Sequence, residues 1–89
     1  AGRDGVAFCR RVTAAVPAGQ PLRQPLDADL EGSYHFYLGR TVANGVGPGW
    51  YLGTESHRDR FVARGLRVET VDSVADERGR RKVLFRVTE

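Results

Sequence analysis

From about Arg3 to Val16 the apolar positions recur with helical spacing. Phe8, Val12, Ala15 and Val16 fall at i, i+4, i+7 and i+8, one face of a 3.6-residue period, with Arg3, Arg10 and Arg11 mostly off it. Pro17-Ala18-Gly19 stops this first helix. Leu22 to Leu26 is a short strand bracketed by Pro21 and Pro25, positions that proline tolerates at a strand end or edge. A second helix follows, with Asp27 or Asp29 as its N-cap. Its apolar stripe is Leu30, Tyr34, Tyr37, Leu38 and Val42, Gly32 and Gly39 lie inside it, and Asn44-Gly45 stops it. The stripe places Tyr37 and Leu38 in the core.

Beyond the glycine-rich loop 45–49, Trp50-Tyr51-Leu52 reads as a buried strand. Ser56 and Asp59 have the spacing of a capping box, opening a short helix through Arg64 with Gly65 as its C′ residue. Leu66 to Val71 is a strand, and a looser stretch through Val74 leads to the turn Asp76-Glu77-Arg78-Gly79. The last strand, Val83 to Val87, alternates, with Val83, Phe85 and Val87 on one face and Leu84, Arg86 and Thr88 on the other. The order α-β-α-β-α-β-β predicts a single small α/β domain over residues 1–89. Its sheet is expected to be mixed, four-stranded and mostly parallel, with packed helices.

A chain of 89 residues has room for one modest core and little material for a deep enclosed pocket. The net charge of +3 comes almost entirely from arginine, with Lys82 the only lysine. That bias reads as composition, so no nucleic-acid partner is expected from basicity alone. A lone cysteine, Cys9, excludes an intrachain disulfide and a cysteine zinc site. No window reaches the roughly 18 apolar residues of a membrane span. The chain begins Ala1-Gly2-Arg3 and has no methionine, which predicts processing or excision from something longer.

Candidate chemistry is sparse. The glycine-rich loop runs from helix into strand, the reverse of a phosphate loop, so it reads as a connector. Cys9, His35 and His57 lack the sequence-local partners of a nucleophile and base, and no ligand spacing supports a metal site. Asp27 and Asp29 sit where a helix starts, as caps rather than as paired acids across a cleft. The aromatics Tyr34, Phe36, Tyr37, Trp50 and Tyr51 read as core rather than as a base-stacking platform. Arg78, Arg80, Arg81 and Lys82 cluster at the last hairpin. A solvated turn is the simpler reading, and contact with an anionic membrane surface or lipid phosphate is the functional alternative. No catalytic residue and no cofactor emerges.

Three stretches carry a family likeness: Phe8-Cys9-Arg10-Arg11-Val12-Thr13-Ala14-Ala15-Val16-Pro17-Ala18-Gly19, Tyr34-His35-Phe36-Tyr37-Leu38-Gly39-Arg40, and Trp50-Tyr51-Leu52 leading to Arg64-Gly65-Leu66-Arg67-Val68. Together they resemble the C-terminal extracytoplasmic domain of bacterial integral-membrane glycosyltransferases of the protein mannosyltransferase and aminoarabinose transferase superfamily. Such domains follow the last membrane span with a helix, a proline-glycine turn and a strand, then a helix bearing an aromatic "fYlgR" motif. The resemblance implies a non-catalytic tail on the periplasmic or extracellular face of a bacterial membrane. Its partners would be the transmembrane portion of its parent and, through it, a polyprenyl-phosphate sugar or the acceptor. The family's catalytic acids lie near the N-terminal end of the full protein, and no residue here matches them. The alternatives are a free-standing small-ligand or protein-binding module and a basic nucleic-acid binder.

Overall fold

The structure, a computed structural model, describes residues 3–28, 32–76 and 78–89. The described residues form a small α/β domain of five strands and three helices. In chain order these are α1 (Arg3–Ala15), β1 (Leu22–Pro25), α2 (Gly32–Leu38), β2 (Val42–Gly45), β3 (Gly49–Thr54), α3 (Glu55–Ala63), β4 (Arg67–Ala75) and β5 (Arg81–Thr88). The strands form one sheet in the order β2-β1-β3-β5-β4. β1 pairs in parallel with both β2 and β3, while β5 pairs antiparallel with β3 and β4.

The expected four-stranded, mostly parallel sheet is corrected on two points. There are five strands, and half of the pairings are antiparallel. The additional strand is β2, which the helical stripe had absorbed as far as Val42. Gly39, at φ +63, ends α2 well before Asn44-Gly45, because glycine adopts the left-handed conformation without penalty. Val42–Gly45 is thereby freed to pair with Leu22–Pro25. Pro25 closes β1 beyond Arg23, the last residue paired with β3, so its missing N–H breaks no ladder on that side. Leu26 lies outside the strand. Asp29 and Leu30 lie outside the described residues.

The two faces of the sheet carry separate cores. Under α1 and α2 lie Phe8, Cys9, Val12, Val16, Leu22, Tyr34, Leu38, Leu52, Val74 and Leu84. On the other face lie Tyr51, Phe61, Val83, Phe85 and Val87, with Phe61 supplied by α3. The predicted alternation of β5 holds, since Val83, Phe85 and Val87 face α3 while Leu84 faces α1 and α2. β4 is longer than expected and shifts register between Thr70 and Asp72. Such a bulge interrupts the period-two pattern, which explains the loose look of this stretch in sequence.

Two side chains correct the predicted core. Tyr37 is 42% exposed and Phe36 79% exposed, whereas Leu38 is buried as expected. Because α2 spans only two turns, Tyr34 and Leu38 one turn apart fill its inward stripe, and the residues between them face out. Trp50 is partly buried and Tyr51 fully so.

Candidate functional site

The three stretches that carry the family likeness meet at one joint. α1 ends at Ala15, and the last carbonyls of any helix lack intrahelical donors. Its last turn holds no basic residue of its own. Arg40, just beyond the end of α2, supplies the charge. Its Nη1 donates to the Val16 carbonyl at 2.8 Å, and its Nη2 donates to the carbonyls of Pro17 at 3.0 Å and Gln20 at 2.8 Å. A planar guanidinium can serve three carbonyls at once where an ammonium would serve them less well. Thr13 Oγ1 donates to the Leu38 carbonyl at 2.9 Å and closes the end of α2 in turn. Trp50 Nε1 donates to Gln20 Oε1 at 2.7 Å, and the Arg86 guanidinium lies 5.6 Å from the centre of the Trp50 ring. Sequence reasoning quoted Arg40 only as the last letter of a motif. Its position directly after the helix-stopping Gly39 was the available signal for a capping role.

The glycine-rich loop is a strap. β2 and β3 are both parallel to β1 and flank it, so residues 46–48 cross the face of β1 to join them. Arg23 Nη1 donates to the Pro48 carbonyl at 3.2 Å, and Tyr51 Oη donates to the Gly47 carbonyl at 2.6 Å. A Cβ on Gly45 would lie 2.7 Å from Arg23 Cδ and 3.1 Å from Tyr51 Oη, so close approach is the reason for glycine there. The loop runs from strand into strand, not from helix into strand as the sequence suggested, and it joins β2 to β3.

At the start of α3 the cap is Thr54, not Ser56, and its box partner is His57, not Asp59. The Thr54 N–H donates to His57 Nδ1 at 3.1 Å, and Thr54 Oγ1 accepts from the His57 N–H at 3.3 Å. With Nδ1 accepting, the proton of the neutral ring sits on Nε2, 3.3 Å from Asp27 Oδ1. Asp27 also accepts from Arg60 Nη1. That bond is the main reason the Asp27 carboxyl titrates below its ordinary value. Burial pushes His57 below its ordinary 6.5, with Arg60 and Lys82 adding to the effect and Asp27 opposing it. The order Asp27–His57–Thr54 has the form of a proton relay, in which Thr54 and His57 close the helix start and Asp27 ties His57 to Arg60.

The remaining sequence candidates are dispersed. Cys9 is fully buried, and burial raises its thiol pKa. His35 is exposed on α2. Among the described residues no group of three or more His, Cys, Asp or Glu side chains is placed to hold a metal ion. No helix among them is long and apolar enough to cross a membrane.

The four hairpin cations divide between the turn and β5. Asp76 shapes the turn: its N–H donates to the Arg80 carbonyl at 2.7 Å, and its Oδ1 accepts from the N–H groups of Arg78 at 2.9 Å and Arg80 at 2.8 Å. Gly79, at φ +77, completes it. The side chains of Arg78 and Arg80 are left exposed. Arg81 Nη1 donates to Ser73 Oγ at 3.0 Å, while Lys82 Nζ lies 5.5 Å from the centre of the Tyr34 ring. Adjacent residues of a strand point to opposite faces, so the hairpin is cationic on both faces and at its tip.

Compared with known proteins, the chain matches no family model, no curated protein and no solved structure.

Proposed function

We propose that this chain is the extracytoplasmic C-terminal domain of a bacterial membrane glycosyltransferase that draws on a polyprenyl-phosphate-linked sugar. The observation that carries the reading is the joint described above. Thr13, Val16 and Pro17 from the first resembling stretch, Leu38 and Arg40 from the second, and Trp50 from the third converge on it through Gln20. Residues picked out by likeness alone thus share one physical task, fastening the helix that would follow the last membrane span to the strands behind it. In this role the domain caps the membrane-side site or contacts the acceptor, and the chemistry belongs to the membrane portion of the parent.

The parent gene provides the test. Its reading frame should encode several apolar spans upstream of Ala1, and an initiator Met immediately before Ala1 would refute the proposal. Membranes containing the full-length protein should transfer sugar from a polyprenyl-phosphate donor. A version ending before Ala1 should lose most of that activity while keeping its membrane level. The isolated 89-residue chain should show no turnover with the same donor or with simple glycosides. Turnover by the isolated chain that disappears on changing one of its own residues would overturn the non-catalytic role.

A further inference from the structure

The topology gathers one end of the molecule. α1 leads through residues 16–21 into β1 and so runs antiparallel to it, which puts the start of α1 at the end where β1 and β3 finish. β5 begins at that same end, with Lys82 paired to Thr54, the last residue of β3. Arg81 is one step beyond that pair, and the turn that Asp76 closes onto Arg78 and Arg80 lies further out. The hairpin tip therefore lies beyond the sheet, at the same end as the start of α1, where Arg3 is exposed.

Charge is concentrated at this end. Residues 76–82 carry four cations, Arg78, Arg80, Arg81 and Lys82, against the carboxylates of Asp76 and Glu77. Their net +2 accounts for most of the chain's +3. Asp76 is turned inward onto the turn amides, while the side chains of Arg78 and Arg80 extend into solvent. Two exposed cations at the turn, backed by Arg81 bonded to Ser73 and Lys82 over the Tyr34 ring, suit an approach by the tip, where Arg78 and Arg80 meet a plane of negative charge first. A flat polyanion lying along one face of the sheet would meet only part of the set.

We infer that the β4–β5 hairpin docks tip-first onto an anionic lipid surface, through Arg78 and Arg80 with Arg81 and Lys82 behind them. The inference extends the proposed role at a membrane, and it is tested on this chain alone, so it can fail without the transferase reading failing. The probes are vesicles of pure phosphatidylglycerol and of pure phosphatidylcholine, mixed with the chain at low ionic strength and separated by sedimentation. Binding to the anionic vesicles alone, weakening as salt shortens the screening length, is the expected result. R78Q/R80Q should bind about thirtyfold more weakly, since each arginine or lysine near such a surface contributes roughly fivefold. The turn should survive this change because Asp76 holds it through backbone amides, and circular dichroism checks that. R10Q/R67Q removes the same charge from exposed positions elsewhere and should weaken binding far less. No binding to the anionic vesicles, or equal losses in the two double variants, would overturn the inference. Tighter binding to a short DNA duplex than to the vesicles would likewise overturn it, assigning the tip to nucleic acid.

Discussion

The two faces of the sheet solve the same packing problem with different material. One is clad by two helices and filled mainly with aliphatic side chains around Phe8, Val12, Leu22, Leu38, Leu52 and Leu84. The other has a single nine-residue helix that buries only Phe61. There the rings of Tyr51, Phe61 and Phe85 lie 4.8 to 5.7 Å apart, centre to centre, and the strap at 46–48 covers the Tyr51 hydroxyl. Aromatic side chains bury large areas and gain from mutual ring contact. Three rings thus do what a second helix does on the opposite face. A sheet can be closed by little secondary structure when the side chains beneath it are large.

Adjacent residues of β5 set the two faces against each other. Phe85→Ala should cost about 3–5 kcal/mol and Leu84→Ala about 2–5 kcal/mol, as for other fully buried truncations. Urea unfolding of the two variants measures the difference. A Phe85 variant as stable as the parent chain would break the claim that the rings carry their face. On the helical face, Leu38→Ala should cost about 2–5 kcal/mol, whereas Tyr37→Ala should cost about 1 kcal/mol or less because the residue is 42% exposed. Equal losses at 37 and 38 would contradict the placement of α2.

The Arg40 joint belongs to the helical face alone. Arg40→Ala should cost about 1–2 kcal/mol, allowing for partial exposure of a charged donor that serves three carbonyls. Arg40→Lys should recover only part of this, because an ammonium lacks the planar fork. Full recovery by lysine, read from thermal unfolding, would leave charge rather than geometry as the cause. The smallest effect concerns α3. The folded state holds His57 below its ordinary 6.5, so the unfolded chain binds more protons as pH falls through that value. His57 should therefore remove stability below about pH 6.5, and His57→Gln, which can still close the capping box, should flatten that window. Asp27 and Asp72, both depressed, chiefly by their bonds to Arg60 and Arg11, hold their contribution above 3.8 and lose it in stronger acid. A pH profile identical in the parent chain and the His57 variant between 5 and 7 would remove His57 from this account.

Much of the fold is written locally. α1 shows its face through Phe8, Val12 and Val16, and β5 shows Val83, Phe85 and Val87 on one face, with Leu84 buried on the other because both faces are covered. What escapes the sequence is set by neighbours distant in the chain. β2 is four residues long with no alternation of burial, and only its register with β1 makes it a strand. The helix stops at Gly39, which the sequence placed inside the helix, rather than at Asn44-Gly45. The capping residue of α3 was displaced from Ser56 to Thr54 because a histidine, not a carboxylate, completes the box. The basic hairpin was visible as a cluster, but its place at the same end as the start of α1 follows from the course of α1 into β1 and from the strand pairing. The Arg40 joint needed three separate segments to be brought together.

Cys9 turns the burial of α1 into a clock. The only thiol in the chain is fully enclosed on the inner face of the first helix, and its raised pKa keeps it protonated and unreactive while that helix stays down. A thiol reagent added to the native chain must wait for the molecule to open. At high reagent concentration the rate of labelling reports how often α1 lifts away. At low concentration it reports what fraction of molecules is open at any instant.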